Sequence, residues 1–395
     1  MKKLALTALS AALLTGCFGD DSSSDSNTVD TDDIQGHIFI AQLISGDYKT
    51  SEIAVGTVGE NEFVENYASQ DASDYTIDVY EQYLYHIGKF NIDTLTRYDA
   101  AAEFLQADYT YSLTEPESSS SNTYQFVQVA EDKAYVVRYD KTSVQVVDPS
   151  ADEESFVLGE VDLAAYVAEG ATYPRMHSAV VSDDKLFVGL QRLDANWQPT
   201  QSYVAVIDIA TNAEIDTDAE DEGLKGIQLS ADNLYSMAED DDYIYVAGRG
   251  DYSDNSGALE RISLDDYSVD TLIDGSTFAA LNDVENGVYY HVLAVEVVDD
   301  TLFVKINVEG GDAPRGYIYS APTNNPANFT DVTPEAFAGE KIAVIQSGPD
   351  DTLWVSLDNA ETPDVYVLNE SAEVQGEALE FSMPVREIEF MEIRD

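Results

Sequence analysis

The chain has 395 residues, with 76 acidic side chains against 19 basic ones and a formal charge of −57. A field of that sign excludes nucleic acid as a general partner and disfavours adsorption to an anionic lipid surface. A hydrophobic fraction of 44% is enough for a large core, and with Cys17 as the single cysteine that core has no internal disulfide and rests on packing and β-ladders.

Lys2 and Lys3 precede an apolar run from Leu4 to Leu14, interrupted by Thr7 and Ser10. This is the pattern of an export signal, too short to span a bilayer as a mature helix. The run ends in Leu14-Thr15-Gly16-Cys17, which resembles the bacterial lipobox. The resemblance implies cleavage after residue 16, acylation of Cys17 by fatty acids such as palmitate, and a body held to a membrane by lipid. Phe18 stands where an Asp would mark retention at the inner membrane, and by that resemblance the outer membrane is the expected location, facing the periplasm or the exterior. Residues 17–33 are rich in Ser and Asp and read as a flexible tether. The body is expected over 34–395.

From there one pattern recurs: an acidic turn, then an apolar-alternating strand. Asp183-Asp184-Lys185-Leu186-Phe187-Val188, Asp299-Asp300-Thr301-Leu302-Phe303-Val304 and Asp350-Asp351-Thr352-Leu353-Trp354-Val355 are the clearest copies. The aligned apolar positions are Ile38, Leu84, Ala134, Leu186, Ile244, Leu302 and Leu353, spaced 46 to 58 residues apart. Several short strands per unit at such a period are the mark of propeller blades. A further strand precedes most copies, as at 75–79, 126–129, 178–181, 294–297 and 343–345. The first copy lacks one, and the terminal segment from Ile388 to Asp395 supplies a strand with no home. Ring closure follows as the economical solution: an all-β, seven-bladed propeller whose C-terminal strand becomes the innermost strand of the first blade, making Ile388 and Phe390 core residues. An eight-bladed or open arrangement is the alternative.

Tyr203-Val-Ala-Val-Ile-Asp208-Ile-Ala-Thr211-Asn212 resembles the repeat of YVTN-type β-propeller proteins, with a looser copy from Val144 to Pro149 and a related strand at Tyr245-Val-Ala-Gly248. The resemblance implies the fold and leaves the activity open, because propellers host unrelated functions.

Propellers place ligands at the channel mouth, where loops entering the innermost strand and loops leaving the second strand share one face. Lys89, Arg138, Arg192, Arg249 and Lys305 fall just after the second strands, and Arg175, Lys341 and Arg386 just before innermost ones. In so acidic a chain, this clustering points to a cationic mouth for an anionic ligand. Local pairing is the alternative, since Arg138, Arg192 and Arg249 each stand two residues before an Asp. Tyr173, Arg175 and His177 make one suggestive loop, and Tyr290 with His291 a second. Tyr124 and Tyr139 add phenols. The four His lie in different blades without ligand spacing, which argues against a zinc or copper site, and no acidic run carries the spacing of a calcium loop. No nucleophile elbow or phosphate cradle is present. A lactonase-like metal hydrolase would need channel carboxylates and amides, for which Asn282, Asp283 and Glu296 are the candidates.

The expectation is therefore a monomeric envelope lipoprotein without catalytic activity, cofactor or resident metal, whose propeller face binds a protein partner. Arg138, Arg175, His177, Arg192, Arg249, His291, Arg386, Tyr173 and Tyr290 are its expected ligand contacts. The alternative is capture of a small anionic ligand, such as a ferric siderophore or an organic acid. A metal-dependent hydrolase of lactones stands third.

Overall fold

The computed structural model describes residues 36–393 apart from 61–62, 100–105, 115–118, 219–222, 282–286, 311–314, 327, 360 and 362. The leader, Cys17, the tether, Asn282 and Asp283 lie outside the described residues.

Seven sheets, six four-stranded and one five-stranded, are arranged as successive blades. The second strands of the blades are Gly36–Ile44, Tyr83–Gly88, Lys133–Arg138, Lys185–Leu190, Tyr243–Gly248, Thr301–Gly310 and Thr352–Leu357. Each contains one of the seven aligned repeat positions. The innermost strands of blades two to seven are Tyr75–Tyr80, Thr123–Ala130, Met176–Ser182, Leu234–Glu239, Val288–Val298 and Ile342–Gly348. The innermost strand of blade one is Val385–Ile393, which pairs antiparallel with Gly36–Ile44 through Ile388↔Ala41 and Phe390↔Phe39. The ring closes as the unplaced terminal strand required. Ile388 is fully buried, and the Phe390 ring packs edge-on against Trp354 of blade seven, 5.1 Å between centroids.

The acidic turns have a local cause. Asp183, Asp299 and Asp350 adopt positive φ at 53°, 49° and 58° in the hairpins between first and second strands. Asp and Asn tolerate that conformation better than other side chains with a Cβ. The segment resembling the YVTN repeat forms the third strand of blade four, Gln201–Asp208, and its turn. There Asp208 Oδ1 accepts from the Thr211 N–H at 2.7 Å, and Asn212 takes φ 55°.

Between blades the core is laminated, because alternate residues of each second strand face opposite neighbours. Leu186 and Val188 pack toward blade three, whereas Phe187 packs toward blade five. One alignment needs correction. In blade one, Phe39, Ala41 and Leu43 face blade seven, while Ile38 and Ile40 face blade two. The equivalent of Leu186 is thus one residue away from Ile38, since a shift of one reverses the face of every side chain.

Phe39 is fully buried, with ring centroids 5.1 Å from Trp354 and 6.0 Å from Phe63. Phe39→Ala opens a cavity at the closing seam and is expected to lower the unfolding free energy by about 3–5 kcal/mol in denaturant titration. Deleting residues 385–395 removes a whole innermost strand and is expected to abolish the cooperative thermal transition, not merely shift it.

Candidate functional site

The channel mouth is built by a repeated irregularity. In six blades the ladder between innermost and second strand shifts by one residue near the same level. The residue skipped is Arg386 in blade one, Tyr124 in three, His177 in four, Tyr235 in five, Leu293 in six and Ala343 in seven. Such a bulge leaves one residue unpaired and re-aims its side chain. Blade two is regular and offers Tyr75 at its first pair.

In blades three to five the bulged side chains form an aromatic arc. His177 lies 4.9 Å from Tyr124 and 5.1 Å from Tyr235 between ring centroids, and Tyr139 stacks on Tyr124 at 4.7 Å. Burial first, then the nearby Lys89 ammonium, lowers the His177 pKa to about 4, so the ring is neutral at pH 7, and its Nδ1 has no hydrogen-bond partner among the described residues. Above the arc, the Arg175 guanidinium pairs with Asp140 and sits 4.3 Å from the Trp197 ring, 5.0 Å from Tyr139 and 5.4 Å from Tyr173. Arg249 faces Tyr252 at 4.4 Å and pairs with Glu309 at 3.1 Å.

The opposite arc, from blade six through seven and one to two, is charged. Glu387 Oε2 accepts from the Thr76 hydroxyl and, at 3.0 Å, from the Ile77 N–H of the next blade. Asp78 accepts from the Phe126 N–H at 2.6 Å, and Glu296 from the Ser347 N–H at 3.1 Å. Glu389 has Asp78, Glu387 and Glu296 as neighbours, and burial together with their charges raises its pKa well above the usual carboxylate range. Burial raises Glu296 to about 7. On the adjacent strand Lys305, paired in register with Ala294, is lowered to about 8 by burial and then by Arg386. Groups that change charge near neutral pH inside a channel are what acid–base chemistry requires.

The expected contacts divide between these arcs and the blade interiors. Arg175, His177, Arg249 and Tyr173 gather at the aromatic arc, and Arg386 lies in the charged one. Arg138 is 1% exposed and turns back into its own blade, where it donates to Ser143 and pairs with Glu160 at 2.6 Å. Arg192 caps the carbonyls of Tyr166 and Gln201. Tyr290 is fully buried in the core between blades five and six. His291 is buried beneath Arg249, with Nε2 3.7 Å from Glu309. Tyr235, Trp197, Asp78, Glu387 and Glu389 escaped the sequence reading. The alternation Arg386-Glu387-Ile388-Glu389 in a strand that must be innermost was the available signal. Among the described residues no group of three or more His, Cys, Asp or Glu is arranged to hold a metal ion.

Glu296 gives this arrangement a measurable consequence. Between pH 4.5, where the unfolded chain ionises, and about 7, where the native group does, the folded protein holds a proton that the unfolded chain has lost. Stability conferred by the native state therefore falls as pH rises across that window. Glu296→Gln keeps the acceptor for Ser347 and removes the titration. Its advantage over the parent in denaturant titrations is expected to grow from pH 4.5 to 7, reaching on the order of 3 kcal/mol above.

No protein-family profile matches the chain, and no curated protein matches it in sequence. Solved structures do match. One described as a candidate 6-phosphogluconolactonase from Bacteroides fragilis is 13% identical with a TM-score of 0.57, covering 94% of this chain and 99% of that one. The periplasmic gluconolactonase of Pseudomonas aeruginosa is 11% identical with a TM-score of 0.56, covering 90% and 98%. A protein from Lactobacillus plantarum is 14% identical with a TM-score of 0.57, covering 90% and 99%. At this identity the likeness shows the seven-bladed propeller fold. It also corrects the expectation of a body without catalytic activity: two of these matches are described as lactonases, so the lack of a recognisable catalytic motif excludes nothing on this scaffold.

Proposed function

We propose that the protein is a hydrolase that opens a small cyclic ester, a lactone, inside the channel mouth. The observation that carries this reading is Glu296, a carboxyl group on the innermost strand of blade six whose proton is released near neutral pH. A base with that proton affinity can take a proton from water while remaining largely ionised at the working pH. Water attacks the ester carbonyl, and its proton passes to Glu296. The ring C–O bond then breaks, the proton moves to the departing alkoxide, and a hydroxy acid is left. The aromatic arc of Tyr124, His177 and Tyr235 supplies an apolar wall against which a compact ring can lie. The two described lactonases among the matching folds support the reaction class.

The test is proton release from D-glucono-δ-lactone followed by pH-stat. The parent is expected to exceed the spontaneous rate, with kcat/KM rising through pH 7 as Glu296 ionises. Glu296→Gln is expected to lose about 100-fold in kcat. A parent no faster than buffer overturns the reading.

We further infer that the body is carried on the outer membrane by lipid at Cys17, which the lipobox-like Leu14-Thr15-Gly16-Cys17 supports. Cys17→Ser is expected to move the protein from the membrane pellet to the soluble fraction and to abolish labelling by radioactive palmitate.

A further inference from the structure

Blade seven is the gap in the ring of bulged side chains. Blades one, three, four and five present Arg386, Tyr124, His177 and Tyr235, whereas blade seven presents only the methyl group of Ala343. A cation stands on either side of the gap. From blade six, Lys305 Nζ donates to the Ala343 carbonyl at 2.6 Å. From blade one, Arg386 pairs with Asp358 at 2.7 Å. The two cations are close enough to repel, and Arg386 is the chief charged group opposing protonation of Lys305. Asp358 and Glu296 are the acids that favour it.

Arg386 Nε is buried without a partner among the described residues. The gap thus offers the donors of two cations to an anion. Buried polar groups are normally satisfied, and an orphaned donor beside a second cation marks where an anion can be held.

We propose that Lys305 and Arg386 form a binding site for a small hydroxy acid, whose carboxylate lies between the two cations. The inference deepens the hydrolase reading, because a hydroxy acid is what opening a lactone leaves, and it rests on that reading for the choice of probe. Charge-assisted hydrogen bonds to two cations supply the affinity. An anion seated beside Lys305 favours its charged form. Binding near pH 8 therefore takes up a proton.

The experiment is isothermal titration with D-gluconate, with inorganic phosphate and D-glucose as comparison probes. Gluconate is expected to bind and glucose not. Repeating the titration at pH 8 in buffers of different ionisation enthalpy is expected to show proton uptake. Lys305→Met removes a desolvated charge at nearly constant volume, so it keeps the fold, and it is expected to weaken gluconate at least about tenfold. Gluconate binding no better than glucose, or unaffected by Lys305→Met, overturns the site. Phosphate binding as tight as gluconate overturns the choice of a carboxylate ligand. No turnover is involved: a protein that binds gluconate but leaves lactone intact keeps this site and loses the hydrolase reading, and a lactonase indifferent to Lys305→Met does the reverse.

Discussion

Everything in this protein depends on the ladder between Gly36–Ile44 and Val385–Ile393. A propeller without it would expose two apolar blade faces and an open sheet edge, the arrangement that β-proteins are built to avoid. With it, the first and last segments of the body share one sheet, and the Phe39–Trp354–Phe390 cluster joins blade one to blade seven. No disulfide assists. The closure is held by hydrophobic packing and main-chain hydrogen bonds.

Around the channel the blades are linked by side chains that accept main-chain protons from the next blade. Glu387 reaches Ile77, Asp78 reaches Phe126, Gln125 reaches Ala179, and Glu296 reaches Ser347. Three of these four acceptors are carboxylates held out of water, which is costly unless protons or hydrogen bonds compensate. Their raised proton affinities are the physical answer to that cost. The same groups that tie blades together thus acquire the titration behaviour of a reactive site.

The scarce cations are managed in two ways. Arg138 and Arg192 are spent on blade interiors, where they satisfy Ser143, Glu160 and the carbonyls of Tyr166 and Gln201. Arg175 and Arg249 are held against aromatic rings at the mouth, each with one acid. Lys305 and Arg386 are different, because they crowd one another across Ala343.

The blade count and the closing strand were legible in the sequence, because alternation and turn chemistry are local: Asp183, Asp299 and Asp350 mark hairpins wherever they fall, and Leu186 or Leu302 repeats whatever surrounds it. The direction of individual side chains was not. Arg138 and Arg386 occupy comparable places in the sequence pattern, yet one turns into its blade and the other lies in the charged arc, beside Lys305. Tyr290 and Tyr124 both look like mouth phenols, yet Tyr290 is core and Tyr124 stands in the aromatic arc. A single bulge reverses which residues face the channel, and whether a ladder bulges is decided by how neighbouring blades pack. The amino-acid sequence by itself determined a closed, acidic, seven-bladed β-propeller. Only the tertiary structure decided which carboxylates and cations lose their water together, because burial is a property of the assembled ring and not of any one strand.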